Sequence, residues 1–373
     1  MRAVLVNCFD TYENNRVKLV KKYLISKGYE VTIIQSDFSH FHKVHLNKAK
    51  IDVISVETSP YKKNLSIERL ISHYKFSKEA FKIVENLEPD LIYALIPPNF
   101  LAKFAAAYKK KNPKVELVLD LIDLWPETMP LPIKKTIFPL SLWSRLRDNY
   151  LKYSDLIITE CDLYQEVLYD VLKDLRMKTL YLAKEEIGLN VNPQLNKEEI
   201  NLAYLGSINN IIDIPKITKI IEAILRIKPV TLNIIGDGEK KEELIFAVEN
   251  IGAKVVDYGK IFNPIEKQHI FDKCHFGLNI MKSTVCVGLT MKSIDYFQHG
   301  LPIINNIPSD TAKLVDKYGI GINILNSEDI VKNINHDNLN KISKSREVVF
   351  DVFQANFSVK AFNKRMEEIF SEI

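Results

Sequence analysis

The sequence predicts an α/β protein built from two doubly wound, Rossmann-like domains. Short apolar runs rich in β-branched residues recur along all 373 residues, longer amphipathic segments separate them, and the rhythm stops once in a polar stretch before resuming. Runs of this length and composition suit strands buried on both faces. Strand and helix in strict alternation imply parallel sheets covered on both sides.

The first-half strands are expected at AVLVN (Ala3 to Asn7), EVTIIQ (Glu30 to Gln35), IDVISVE (Ile51 to Glu57), DLIYALI (Asp90 to Ile96), VELVLDLI (Val115 to Ile122) and DLIITE (Asp155 to Glu160). Between the first two, NRVKLVKKYLISKG carries an apolar helical stripe of Val17, Leu19, Val20, Tyr23 and Leu24, and Gly28 supplies a stop. The polar stretch KEEIGLNVNPQLNKEE, punctuated by Gly188 and Pro193, reads as a linker. Strands resume at INLAYLG (Ile200 to Gly206), VTLNIIGDG (Val230 to Gly238), KVVDYG (Lys254 to Gly259), FGLNIM (Phe276 to Met281) and LPIINN (Leu301 to Asn306). The segment SVKAFNKRMEEIFSEI has the pattern of a terminal amphipathic helix. The expected organisation is a first domain over 1–185, a linker over 186–199, a second domain over 200–355 and a final helix over 356–373 that can cross back to the first domain. Ligands of such folds bind at the carboxyl ends of the strands, here in a cleft between two sheets.

Composition narrows the function classes. A chain with 46 % hydrophobic and 26 % charged residues is globular and can bury a large core. A net charge of +4 is too small to argue for nucleic acid. No run approaches the roughly 18 apolar residues of a spanning helix, and MRAVLVNCFD has no leader pattern, so a cytoplasmic location is expected. Cys8, Cys161, Cys274 and Cys286 lack metal-site spacing and read as reduced, mostly buried residues. No metal is expected; His40, His42 and His45 cluster, but in a loop whose simplest reading is solvation.

Three turns of the second half carry the chemistry. YLGSINN and IIGDGEKKEEL each place glycine between a strand and a helix, so N–H groups at Gly206, Ser207, Gly236, Asp237 and Gly238 are expected to face an anion. Each alone is a weak signal, and Gly236 and Gly238 can equally serve only to close a tight turn. The third is VGLTMKSIDYFQHGLPII. There Gly288, Leu289 and Thr290 are expected to open a helix over Met291 to His299, with N–H groups and the Thr290 hydroxyl toward a diphosphate. Lys292 adds a compact cation, and Asp295, three residues on, can accept hydrogen bonds from ligand hydroxyls.

The order of YLGS, NIIGDGEKKEEL, VVDYGKI, IFDKCHFGLNIMKS and GLTMKSIDYFQHGLPII resembles the C-terminal half of GT-B retaining glycosyltransferases of family 4. LDLIDLWPETMP (Leu119 to Pro130) resembles the "D.WPE" segment of members that build capsule, O-antigen or colanic-acid-type polysaccharides. The resemblance implies that Asp295 replaces the second glutamate of the family's Glu-x7-Glu motif, which contacts ribose, and that Val287 stands at the first. It implies that Gly288, Leu289, Thr290 and Lys292 face the diphosphate, and that Gly259 and Lys260 lie against the base. Ser207 stands where relatives have arginine. Asn15 and Arg16, in CFDTYENNR, replace a glycine pair and are expected, with Trp125, on the acceptor side.

Asp123 and Glu127 follow a strand end, where either can orient or partly deprotonate an acceptor hydroxyl. Asp123 can equally cap the following turn while Trp125 packs between helices. The expected activity is a retaining, hexosyltransferase-like transfer from a nucleotide sugar, with UDP the expected nucleotide, to a lipid-linked or polysaccharide acceptor. No separate cofactor is expected. The alternatives are a non-catalytic subunit of the same fold, kept open by Val287 and Ser207, and a UDP-sugar epimerase. Peripheral contact with anionic membrane is expected from NFLAKFAAAYKKKNPK (Asn99 to Lys114) or PIKKTIFPLSLWSRLR (Pro132 to Arg147), unless their apolar faces simply pack inward.

Overall fold

The computed structural model describes residues 1–9, 15–40, 42–46, 52–129, 138, 140–188 and 191–371. The chain divides into two compact units, one comprising Met1–Lys184 and the chain from Phe362 onward, the other Glu185–Ala361.

The first unit runs β1 (Arg2–Asn7), α1 (Asn15–Ser26), β2 (Glu30–Ser36), β3 (Val53–Val56), α2 (Ile67–Leu87), β4 (Leu91–Ile96), α3 (Phe100–Lys111), β5 (Glu116–Leu121), α4 (Leu140–Leu151), β6 (Leu156–Thr159), α5 (Asp162–Val167), α6 (Tyr169–Leu172) and β7 (Met177–Thr179). Its parallel sheet has the order β3-β2-β1-β4-β5-β6-β7. Every residue of β4 is buried, as expected for a central strand covered on both faces. Ser66 caps α2 by accepting from the Arg69 N–H at 3.2 Å, and Glu88, in the left-handed region at φ 44°, ends it.

The second unit runs β8 (Ile200–Ser207), α7 (Ile214–Leu225), β9 (Val230–Asp237), α8 (Lys241–Asn250), β10 (Lys254–Asp257), α9 (Pro264–Phe271), β11 (Phe276–Asn279), α10 (Met291–Gln298), β12 (Ile303–Asn305), α11 (Asp310–Tyr318), β13 (Gly321–Asn323), α12 (Glu328–Asn333), α13 (His336–Ile342) and α14 (Arg346–Asn356). Helix α15 (Val359–Phe370) follows and packs on the first unit, where Glu367 pairs with Lys27 at 2.6 Å and Arg365 Nε donates to the Thr179 carbonyl at 3.0 Å. The second sheet, again parallel, has the order β10-β9-β8-β11-β12-β13. Ile217, Ile220, Ile221 and Ile224 of α7 pack on Leu202, Leu232 and Ile234 of the sheet. Each such buried side chain contributes about 1.5 to 3 kcal/mol.

Both units are doubly wound, as the sequence predicts. It misses β7 and β13, three-residue edge strands too short to show as apolar runs. Cys8, Cys161 and Cys274 are buried free thiols, and Cys286 is partly buried. Among the described residues, no helix is long and apolar enough to cross a membrane. The apolar face of α3, a candidate membrane segment, instead packs inward through Leu101, Ala102, Ala105, Ala106 and Tyr108. Of the second candidate segment, 132–137 and 139 lie outside the described residues, while Phe138 and Leu142 are exposed.

Candidate functional site

In the second sheet the strand order reverses between β8 and β11, and the carboxyl ends of these strands flank the switch point where such folds bind ligands. Helix α10 follows β11. Its Tyr296 hydroxyl accepts from the Leu205 N–H at 2.8 Å and donates to the Ala203 carbonyl at 3.1 Å, tying the helix to β8. Gly277 makes this possible, because a Cβ there would lie 2.7 Å from the Tyr296 ring.

This docking brings Lys292 to the end of β8. Its Nζ lies 3.8 Å from the centroid of the Tyr204 ring, and its Cε lies 4.0 Å from where a Cβ on Gly206 would stand. Gly206 has φ +100°, a conformation that favours glycine. Lys292 makes no ion pair among the described residues, and burial pushes its ammonium down to about 7. Among the described residues, the N–H groups of Gly288, Leu289, Met291 and Lys292 also have no hydrogen-bond acceptor. A partly buried cation, amides without acceptors among the described residues and a helix N-terminus together make this a candidate site for an anion.

Several expected details are corrected. The Thr290 hydroxyl caps α10, accepting from the Ser293 N–H at 3.0 Å and donating to Asn279 Oδ1 at 2.8 Å. Gly236 N–H donates to the Gly259 carbonyl at 2.7 Å, Gly238 N–H to Asp237 Oδ1 at 2.8 Å, and Gly259 N–H to Asp257 Oδ1 at 2.9 Å. Those three amides are therefore not free for phosphate. The glycines answer to backbone crowding: a Cβ on Gly236 would lie 2.0 Å from the Gly206 carbonyl oxygen, and one on Gly238 2.3 Å from that of Ile208. Asp237 pairs with Lys260 at 3.0 Å, both well exposed. Ser207 is exposed, and its carbonyl accepts from the Tyr204 hydroxyl at 3.0 Å. Asp295 pairs with Lys267 of α9 at 3.5 Å rather than with Lys292.

In the first unit, Arg16 is withdrawn from the acceptor side. It is fully enclosed, with Nε and Nη2 on the Asp120 carboxylate at 2.6 and 2.7 Å and Nη1 on the Leu180 carbonyl at 2.6 Å. Asn15 likewise spends its amide on the Ala183 carbonyl at 3.0 Å. Asp123 takes the turn-capping role, accepting from Leu124 N–H at 2.8 Å, Trp125 Nε1 at 2.5 Å and Thr128 Oγ1 at 2.5 Å. Glu127 holds Arg147 with two contacts of 3.0 Å. Both carboxylates thereby shape the turn. Trp125 packs on His73, with ring centroids 5.8 Å apart and planes 13° from parallel.

Sequence reasoning missed Glu160, which follows β6. Its carboxyl makes no hydrogen bond or ion pair among the described residues, and burial pushes it up to about 8 against the opposing pull of Arg16, with Asp123 and Asp120 adding to the rise. The fold thus favours the protonated acid. The stability it contributes is complete below the unfolded value of about 4.3 and lost as pH rises through about 8. Glu160→Gln, which stays neutral, should melt about 5 °C above wild type at pH 8.5 and within about 1 °C of it at pH 5. Equal melting temperatures at both pH values would place the carboxyl in water.

His40 is not a solvated loop residue: its Nδ1 lies 2.7 Å from the Tyr61 hydroxyl, and its ring packs on Phe9 at 5.4 Å. No local motif marks it, because its partners are brought together only by the sheet order. An open hollow of about 480 Å³ also lies in the second unit, bordered by Lys216, Lys282, Met281, Pro308 and Ile330. Neither Gly206, Lys292 nor Asp295 lines it; its Lys282 is exposed, and its Lys216, pushed down by burial, donates to the Leu325 carbonyl at 3.3 Å.

No protein-family model and no curated protein sequence matches the chain. Solved structures do resemble it over its whole length. The lipopolysaccharide outer core galactosyltransferase WaaB, in its apo form, superposes with a TM-score of 0.70 at 14 % identity, covering 100 % of both chains. Sucrose-phosphate synthase from Thermosynechococcus elongatus gives 0.66 at 13 %, covering 100 % of this chain and 98 % of that one. HepE of Anabaena, solved in complex with UDP and glucose, gives 0.64 at 15 % with both chains fully covered. At these identities the likeness is one of fold. The chain has the two-domain α/β fold of GT-B glycosyltransferases.

Proposed function

We propose that the chain transfers a sugar, with retention of configuration, from a UDP-sugar to a lipid-linked or surface-polysaccharide acceptor. The observation that carries this reading is Lys292, a partly buried amine with no acidic partner among the described residues, seated beside Gly206 at the N-terminus of α10. The fold shared with WaaB and with UDP-bound HepE supports it. In the transfer, the bond between the anomeric carbon and the diphosphate breaks. The charge that develops on the diphosphate meets the Lys292 ammonium and the orphan amides. The acceptor hydroxyl attacks on the face the diphosphate leaves, and its proton passes to a diphosphate oxygen, so no strong protein base is needed. Asp295 sits one turn beyond Lys292 and is the group proposed to hold the ribose, with Lys267 orienting it. Exposed Phe138 and Leu142 support a peripheral contact with anionic membrane at the cytoplasmic face.

Val287 and Ser207, an apolar and a neutral side chain where the resemblance implies a glutamate and an arginine, favour one second reading, a non-catalytic subunit that retains the fold. Incubation with a panel of labelled UDP-sugars separates the readings. The transferase slowly releases UDP and free sugar by hydrolysis, an epimerase interconverts the sugars, and a silent protein that still binds UDP is the subunit.

A further inference from the structure

The first unit also holds a buried cation. Arg69 lies on the first turn of α2 and is only 5 % exposed, yet it makes no ion pair among the described residues. Its Nη1 donates to the Asn64 carbonyl at 2.6 Å, and its Nε approaches His73 Nε2 at 3.4 Å. The guanidinium carbon lies 4.2 Å from the centroid of the Trp125 ring. Asp123, the acid whose charge it feels, is saturated by three donors of its own turn. Lys43 stands beside it, with Nζ 4.7 Å from the Tyr61 centroid and 2.6 Å from Asn64 Oδ1.

Among the described residues, Asp123 is the one acid whose charge acts on Arg69. Burial and Arg69 push His40 down to about 4 and His73 well below its ordinary value, so both imidazoles are neutral. Stacking on Trp125 and a hydrogen bond with Tyr61 offset part of the cost of burying the guanidinium, and no acid pairs with it among the described residues. Phe9, His40 and Lys43 are partly exposed and form the rim above the buried Arg69, Tyr61 and Trp125. Phe9, His40, Tyr61 and Trp125 come from the segments after β1, β2, β3 and β5, so the cluster occupies the carboxyl edge of the sheet, where doubly wound domains bind ligands.

We propose that Arg69 and Lys43 form a subsite for an oxyanion group on the acceptor, either a phosphate ester or diphosphate or the carboxylate of an acidic sugar. This rests on the transferase reading only for the word acceptor; the anion site itself rests on the cluster. The guanidinium supplies the N–H donors not held by Asn64, His73 and Tyr61, the lysine a point charge, and the Trp125 and Phe9 rings an apolar wall for the sugar or ester beside them.

The test uses intrinsic fluorescence, because the chain has two tryptophans, Trp125 and Trp143, both in the first unit. Trp143→Phe leaves Trp125 as the sole reporter, and Lys292→Ala in the same chain removes the competing diphosphate site. Inorganic pyrophosphate, glucuronate and glucose are titrated at constant ionic strength. A saturable change with an anion and none with glucose is expected; tighter pyrophosphate points to a phosphate-bearing acceptor, tighter glucuronate to an acidic sugar. Arg69→Met should weaken the anion at least about tenfold, and Arg69→Lys should recover part of the loss. If Arg69→Met does not fold, Lys43→Met, at the rim, should still weaken the anion about threefold or more. No saturable change with either anion, or unaltered binding in the variants, overturns the proposal. Anion binding here without UDP binding to the wild-type chain would overturn the transferase reading and leave the anion site standing.

Discussion

Lys292→Ala is expected to weaken UDP about a hundredfold, while uridine loses less than about threefold, when both are measured by calorimetry. The asymmetry follows from position. The ammonium reaches past the Tyr204 ring toward Gly206 at the α10 N-terminus, where a diphosphate would meet it together with the orphan amides. In water such a pair is worth little, but here the amine is partly buried and burial pushes it down to about 7, so the ligand supplies a counter-charge that it lacks among the described residues. Removing the amine removes both the charge and the reason for the anion to sit there. Equal losses for UDP and uridine would mean instead that α10 had shifted from its anchorage at Tyr296.

Gly236→Ala should destabilise the second unit by more than about 3 kcal/mol in chemical denaturation. Gly206 and Gly236 are opposed in the β8–β9 register, and the new methyl would lie 2.0 Å from the Gly206 carbonyl oxygen, a backbone atom that cannot swing aside. Relief requires β8 and β9 to separate at their carboxyl ends, which also displaces Tyr204 and Gly206 from beneath Lys292. Stability and UDP affinity should therefore fall together. Gly188→Ala, where an added Cβ meets nothing within 4 Å, is the control and should stay within about 0.5 kcal/mol of wild type.

These two glycines show what the sequence conveys and what it withholds. The strand and helix periodicity of both units is legible because each central strand, such as β4, is buried on both faces and so must be apolar throughout. The helix start at Thr290 is legible for a similarly local reason, since its capping group lies within four residues. A glycine after a strand, by contrast, reads alike whether it faces a phosphate or a neighbouring backbone. Gly236 proves to be the second kind, because its partner Gly206 lies thirty residues away in sequence but opposite in register. Arg16 fails for the same reason: its counter-ion Asp120 arrives from β5, and no spacing rule announces it. Arg69, His73, His40 and Tyr61 gather only when the order β3-β2-β1-β4-β5 places their loops on one edge. Pairwise chemistry set by topology is invisible to a linear reading, and the sites of doubly wound folds are made of it.

The most direct measurement is the proton balance of UDP binding at pH 8, obtained by calorimetry in buffers of different ionisation enthalpy. At that pH the diphosphate is fully ionised, while Lys292, at about 7, is mostly neutral in the free protein. A bound diphosphate beside it restores the charged form, so wild type should take up a large part of one proton per UDP, and affinity should fall as pH rises further above 7. Lys292→Ala should take up none. UDP binding to wild type with the same affinity and the same proton balance as Lys292→Ala would contradict the assignment of Lys292 to the diphosphate.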